Sequence, residues 1–206
     1  IIKGSLDIMP KIINDPEKLG AKIEAMKRSC ERISKIVLGL RKFSRTGDRV
    51  DFVPQSLESI CKDTAPLIEA KAKHNGTSII WECNSEALIN CNEIEIEQVM
   101  INLISNAIDA VKDKTERWVK VSVLDVQNSV VVRVMDSGHG IPEVIRNKLF
   151  VPFYTTKEIG QGTGLGLSIS KGIVEEHKGT ITILSDSPNT CFEITFPKAG
   201  ALQRAA

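Results

Sequence analysis

Between Pro16 and about Ser44 the apolar side chains fall at Leu19, Ile23, Met26, Cys30, Ile33, Val37 and Leu40, in alternating steps of four and three. This is a heptad seam, with Lys, Arg, Glu and Ser on the faces between, and it predicts a long amphipathic helix. Asn14 or Asp15 can cap it, Pro16 suits its first position, and Glu17 suits the positive end of its dipole. Upstream, Ile2, Leu6, Met9 and Ile13 repeat the spacing, which predicts the end of an earlier helix that Pro10 kinks or terminates. The Asn14-Asp15-Pro16 break then makes an antiparallel helical hairpin. A single hairpin leaves half its seam in water unless it folds back on the rest of the chain. The simplest cover is a second copy, giving a dimeric four-helix bundle.

After the polar run Arg45-Thr-Gly-Asp-Arg49 the pattern changes. Val50–Val53 can form a strand, Ser56–Lys73 a helix, and Asn75-Gly76 a turn. Thr77–Cys83 and Ala87–Cys91 read as strands, and Glu93–Lys112 as a strong amphipathic helix. Trp118–Val126 and Val130–Met135 read as a hairpin joined across Gln127-Asn128-Ser129. Gly166–His177 is helical and ends at Lys178-Gly179. Thr180–Ser185 and Cys191–Phe196 form a further hairpin. Strands in pairs, not in strict alternation with helices, favour an α+β fold, a two-layer α/β sandwich, over a doubly wound parallel sheet. The expected organisation is helices over 1–45, a linker over 46–49, the sandwich over 50–197, and a tail over 198–206 that shows no pattern.

Composition narrows the function. The 206 residues are 42% apolar and 26% charged, with 27 Lys and Arg against 26 Asp and Glu. A net charge of +1 gives no electrostatic reason to expect nucleic acid or an anionic membrane surface as partner. No apolar run approaches the roughly 20 residues of a spanning helix. With no secretory leader at the first residues, a cytoplasmic location is expected, without membrane contact from these residues and with membrane attachment of a longer parent protein left open. Five scattered cysteines without a Cys-x-x-Cys disfavour zinc and read as reduced, mostly buried thiols.

Four segments carry candidate chemistry. Asn102 and Asn106 are four apart on one helix, so both carboxamides share a face, and their carbonyl oxygens suit a hard cation such as Mg²⁺. Taken alone, two Asn at this spacing are more often surface or capping residues. Asp136-Ser-Gly138-His-Gly140-Ile141-Pro142 follows a strand: its carboxylate can accept a hydrogen bond while the glycines admit a flat ligand. An ordinary turn accounts for it as well. Phe150-Val-Pro-Phe153-Tyr154-Thr-Thr-Lys157 is either a hydrophobic plug or a lid anchor with Lys157 in reach of phosphates. Gly160-Gln-Gly162-Thr163-Gly164-Leu165-Gly166-Leu167-Ser168 opens a helix and exposes N–H groups, a ready anion site. It fits neither the Walker A nor the dinucleotide pattern.

In this order, the four segments resemble the nucleotide-binding domain of sensor histidine kinases, within the superfamily of gyrase B, HSP90 and MutL. The resemblance spans the N box (102–110), two glycine boxes (136–140 and 162–166) and the F box (150–157). Arg32-Ile-Ser-Lys-Ile-Val-Leu-Gly-Leu-Arg-Lys-Phe-Ser-Arg45 is similar to the second helix of the kinases' dimerisation and histidine-phosphotransfer domain. Asn-Ala-Ile-Asp-Ala and Phe-Tyr-Thr-Thr-Lys resemble the nitrogen-regulator-like branch. The resemblance implies that Asn106 coordinates Mg²⁺, with Asn102 beside the phosphates or metal shell. It implies that Asp136 accepts from the adenine amine and that Gly138 and Gly140 shape the base pocket. Residues from about 143 to 163 would form a mobile lid, and Gly162, Gly164 and Gly166 would meet the phosphates. Ile141, Phe150, Tyr154, Lys157, Thr163, Leu165 and Leu167 would complete the ATP or ADP site. Position 137 is Ser where the family commonly has Asn.

The family phosphorylates a histidine in a motif like His-Glu-Ile-x-Asn-Pro-Leu. The chain holds only His74, His139 and His177, and none lies in such a motif. His74 and His177 read as surface or hydrogen-bonded structural histidines, and His139 lies inside the first glycine box. The expectation is an ATP-dependent histidine autokinase, acting as a homodimer, whose acceptor lies upstream of Ile1 and whose phosphoryl group passes to a response regulator receiver domain. An ATP-gated conformational module and a serine-directed relative are the alternatives.

Overall fold

The computed structural model describes residues 2–26, 29, 52–157 and 162–200. The chain divides into two compact units, Ile1–Asp48 with Thr155–Leu165, and Arg49–Tyr154 with Gly166–Ala206. No helix among the described residues is long and apolar enough to cross a membrane.

In the first unit, α1 (Ile2–Ile12) contains Pro10 and runs on past it, so Pro10 does not terminate the helix. So near the C-terminal end, proline removes one hydrogen bond, to the carbonyl of residue 6, and leaves the earlier turns intact. Residues 16–26 form α2. Of the two capping candidates Asp15 does the work: its Oδ1 accepts from Lys18 N–H at 3.1 Å and its Oδ2 lies 2.8 Å from Lys18 Nζ. Those two contacts hold its carboxyl below the usual range. Leu19 and Met26 are half-buried in the single chain and Ile23 is exposed. The seam from Cys30 to Leu40, the Arg32–Arg45 run and the 46–49 linker lie outside the described residues.

The second unit holds β1 (Val53–Ser56), α3 (Leu57–His74), β2 (Ser78–Cys83), β3 (Leu88–Cys91) and α4 (Glu93–Val111). It continues with β4 (Trp118–Val126), β5 (Ser129–Asp136), α5 (Glu143–Arg146), α6 (Gly166–Glu176), β6 (Thr180–Ile183) and β7 (Cys191–Pro197). Five strands form one mixed sheet in the order β2-β4-β5-β7-β6. β2 and β4 are parallel, joined through β3 and the crossover helix α4, and the other pairs are antiparallel. β3 does not join β2; it pairs antiparallel with β1 in a separate two-stranded sheet. The β4–β5 turn is one residue tighter than expected. Gln127, with φ of 47°, and Asn128 make it, and Ser129 already pairs with Val126.

Strand alternation builds the core. Val119, Val121 and Val123 of β4 oppose Asp136, Val134 and Val132 of β5, and Val134, Val132 and Val130 oppose Phe192, Ile194 and Phe196 of β7. All of these are buried. α4 packs over β4 and β5, α3 over β2, and α6 over β6, which makes the helical layer of the expected two-layer sandwich. On the opposite face Arg133 and Glu193, directly opposed across β5 and β7, form an ion pair at 2.7 Å. The residues after β7 do have partners: Lys198 N–H bonds the Asn128 carbonyl at 2.9 Å and Ala199 N–H the Leu88 carbonyl at 2.7 Å, tying the two sheets together.

Two helix ends differ in a telling way. α3 ends on Gly76 at φ of 62°, the usual use of glycine at a left-handed position. At the end of α6 the left-handed residue is Lys178, with φ of 59°, and not the neighbouring glycine. Gly179 N–H closes the helix on the Val174 carbonyl at 2.9 Å. A Cβ on Gly179 would lie 2.7 Å from both the Thr195 carbonyl oxygen and Phe196 Cδ1, so glycine is needed there for close approach to β7. The two neighbours should therefore respond with opposite sign in denaturant melts. Gly179→Ala should lose about 1–3 kcal/mol to overpacking, whereas Lys178→Gly should be neutral or gain up to about 1 kcal/mol by relieving the left-handed residue. A Gly179→Ala variant as stable as the parent would contradict this packing.

Candidate functional site

The amphipathic pattern of α4 sets the first part of the site. Ile96, Val99, Met100, Leu103, Ile104, Ala107, Ile108 and Val111 are buried, and this stripe fixes the rotation of the helix about its axis. Asn92 caps its start, its Oδ1 accepting from Glu95 N–H at 3.2 Å. With that rotation set, Asn102 and Asn106 emerge half-buried at the stripe's edge. Asn102 Nδ2 donates to Ser170 Oγ of α6 at 2.9 Å, and Asn106 Nδ2 reaches Asn102 Oδ1 at 3.5 Å. A Cβ on Gly166, the first residue of α6, would overlap Asn102 Oδ1 and come within 3.0 Å of its Cγ. The glycine thus lets the N-terminus of α6 meet the carboxamide.

The other flank of α4 is tied to α3. Lys71 Nζ donates to the Ser105 carbonyl at 3.1 Å and lies 2.5 Å from both Ser105 Oγ and Asp109 Oδ1. Asp109, part of the N box, thus makes an ion pair toward α3.

Asp136 ends β5 on the helix-facing side of the sheet and is 2% exposed. Its backbone N–H bonds the Thr190 carbonyl at 2.9 Å, and its Oδ1 accepts from Gly138 N–H at 2.7 Å. Burial raises its carboxyl above the ordinary range, opposed by the Gly138 N–H, the Thr190 hydroxyl and the Lys114 charge. A Cβ on Gly138 would stand 2.7 Å from Asp136 Oδ1 and 3.3 Å from Thr190 Oγ1, so the loop closes on the carboxylate only with glycine there. Ser137 anchors the same loop: its Oγ donates to the Glu116 carbonyl at 2.7 Å and accepts from Trp118 N–H at 3.3 Å. Gly140 takes φ of 78°, and Ile141 is half-buried.

The aromatic segment does not form a buried plug. Phe150 is half-buried with Lys171 Nζ 5.7 Å from its ring centre, a cation–π distance. Phe153 is 67% exposed and carries φ of 66°, an uncommon state for a bulky residue. Tyr154 is half-buried. Within the first unit, Thr155 Oγ1 accepts from Lys157 N–H at 3.2 Å, and a Cβ on Gly162 would meet Thr155 Oγ1 at 2.7 Å and Lys157 Cβ at 3.3 Å. Gly164 has φ of 66°, and Leu165 N–H reaches Thr163 Oγ1 at 3.4 Å. Leu167 is half-buried on α6.

The structure brings Asn102, Asn106 and Gly166 together, and gathers Asp136 and Gly138 around Thr190. Sequence reading missed Ser170, Thr190 and Lys71. Ser170 lies one turn after Gly166 on the same face of α6, a spacing that could have been read; for Thr190 and Lys71 no local pattern points to the site.

The family described as "Histidine kinase-, DNA gyrase B-, and HSP90-like ATPase" matches residues 91–200, more than half of the chain. The catalytic domain of the histidine kinase ThkA is 33% identical in sequence, with 72% of this chain and 97% of that one covered at a TM-score of 0.64. The chain therefore belongs to this ATPase family, on its sensor histidine kinase side. Sporulation kinase A of Bacillus subtilis is 37% identical over 145 residues, 69% of this chain and 23% of that protein. A structure of ThkA in complex with the response regulator protein TrrA covers 98% of this chain and 58% of that one, at 30% identity and a TM-score of 0.75. The chain spans about a quarter of the length of the curated relatives it matches.

The buried carboxylate has a pH signature. A carboxyl raised above its unfolded value of 3.8 binds more protons folded than unfolded, so its contribution to stability falls as pH rises through that window. Without nucleotide, the unfolding free energy of the parent minus that of Asp136→Asn should decline as pH rises from about 4, then level off above the folded-state pKa. A difference that rises with pH would contradict the burial account.

Proposed function

We propose that this chain is the ATP-binding and phosphoryl-donating part of a two-component histidine autokinase. The observation that carries the reading is the buried, strand-end carboxylate of Asp136 in the same unit as the Asn102–Asn106 pair and the glycine start of α6. An acceptor oxygen in a dry site selects a ligand that donates there, as the adenine amine does. Neutral carbonyl oxygens at Asn106 and Asn102 suit a hard cation that keeps phosphates and waters in its shell. The N-terminus of α6, with its positive dipole end, suits phosphate oxygens. Mg²⁺, when bound, supplies neutralisation of phosphate charge.

In this reading Asp136 and Gly138 hold the base, with Gly140 and Ile141 shaping its pocket. Asn106 holds the metal, and Asn102 lines the phosphate side. By the resemblance, Phe150, Tyr154 and Lys157 would serve the nucleotide, and Gly162, Thr163, Gly164, Leu165, Gly166 and Leu167 would serve its phosphates. The chain's own work is positioning and charge neutralisation, which is most of what phosphoryl transfer requires. The γ-phosphoryl goes to a histidine nitrogen upstream of Ile1, leaving ADP, and then to an aspartate of a response regulator receiver domain. The N-terminal helices pair two copies, and the reaction takes place in the cytoplasm.

Two measurements test this. Asp136→Asn should weaken Mg-ADP binding in calorimetry by about 1–3 kcal/mol, the usual loss for a buried hydrogen-bond partner; unchanged affinity would remove Asp136 from the base pocket. Incubated with labelled ATP and Mg²⁺, the chain alone should gain no acid-labile phosphate. The same chain extended upstream through an acceptor motif should gain it, and should lose it with Asn106→Ala. Label on the unextended chain, or full activity with Asn106→Ala, would overturn the reading.

A further inference from the structure

His177, just beyond the last residue of α6, is 3% exposed and fully engaged. Its Nε2 lies 3.0 Å from the backbone nitrogen of Asn92, and its Nδ1 lies 2.7 Å from the Ile173 carbonyl oxygen. A backbone N–H only donates and a carbonyl only accepts, so the partners dictate the neutral form with the proton on Nδ1. Phe52 stacks on the ring at 4.3 Å between centroids and 16° between planes, and Phe196 meets it edge-on at 6.4 Å.

The place of this contact gives it a role. Asn92 is the cap residue of α4, so His177 holds the N-terminal end of α4 against the C-terminal end of α6. Further along the same antiparallel pair, Asn102 of α4 meets Ser170 and Gly166 of α6. These two polar contacts between the helices fix the sliding and spacing of α4 on α6, and buried hydrogen bonds define register more sharply than apolar contacts do. The space between Asn102 and Gly166 has no slack, because even a methyl group at Gly166 would overlap the carboxamide. A small slide of α4 therefore moves Asn102 and Asn106 relative to the α6 N-terminus.

We propose that His177 is a positioning residue for the nucleotide site, acting through Asn92 to set the register of α4 against α6. This rests on the nucleotide-binding reading above. Nothing in the role needs His177 to touch the nucleotide, and its two nitrogens are already used.

The test is calorimetric titration of Mg-ADP into the chain, well below its melting temperature. His177→Leu, which leaves the Asn92 N–H without its acceptor, should weaken binding about tenfold, in the range of coupled sites. His177→Gln, which offers a carbonyl oxygen where Nε2 stood, should recover affinity to within about threefold. Val131→Ala, a buried truncation on the sheet face away from the helices, serves as the stability control and should leave affinity unchanged. Combined with Ser170→Ala, His177→Leu should cost less than the product of the two separate losses, because both act on one register. Parent-like affinity in folded His177→Leu, or an equal loss in Val131→Ala, would reduce His177 to an ordinary core residue. Should His177→Leu not fold, failure of His177→Gln to bind better than Ser170→Ala would count against the role equally. A parent chain that binds no Mg-ADP would overturn the nucleotide reading itself, and the positioning role with it.

Discussion

The apolar stripe from Ile96 to Val111 can leave water only by lying on the helix-facing side of β4 and β5, and that requirement orients everything around it. Each large apolar side chain buried there is worth about 1.5–3 kcal/mol, far more than any single polar contact in the unit. Once the stripe is down, the rotation of α4 is no longer free. Its two remaining flanks are then taken by polar residues with opposite tasks: Ser105 and Asp109 bind Lys71 of α3, while Asn102 turns toward α6. Hydrophobic burial supplies the energy, and the polar contacts choose the register. Loosening the second without losing the first would yield a folded protein with a misaligned site.

The same sheet face that supplies this driving force carries one carboxylate. Asp136 continues the row of Val130, Val132 and Val134, so strand alternation delivers it to the core side. A charged carboxylate there is unfavourable, and the Gly138 N–H and Thr190 hydroxyl offset only part of the desolvation. An apolar residue would stabilise the fold better but, under the proposed function, would leave the adenine amine without its acceptor.

Much of this was legible in the chain because its signals are local. The alternating valines of β4 and β5, the 3.6-residue period of α4 and the glycine-rich start of α6 report their own neighbourhoods. The four-residue spacing of Asn102 and Asn106 put both on one face, as found. What escaped reading depends on distant partners: Ser170 is 68 residues from Asn102, and His177 is 85 from Asn92. β3 is four residues long, and nothing in so short a run distinguishes β1 from β2 as its neighbour. Lys178-Gly179 does end α6, yet the left-handed backbone belongs to Lys178, and the glycine answers to β7 across the core. Pro10 carried a strong breaking signal that its position near the end of α1 made harmless.

Under the proposed function, Asp136 reads a donor on a purine base while α4 and α6 hold metal-bound phosphates. Titrating the chain with ATP and with GTP, each with Mg²⁺, tests it most directly. Adenine presents an amine where guanine presents a carbonyl oxygen, which a buried acceptor repels. ATP should bind at least about tenfold tighter than GTP, with the preference lost in Asp136→Asn. Equal affinity for the two nucleotides in the parent chain, or no binding of ATP, would contradict it.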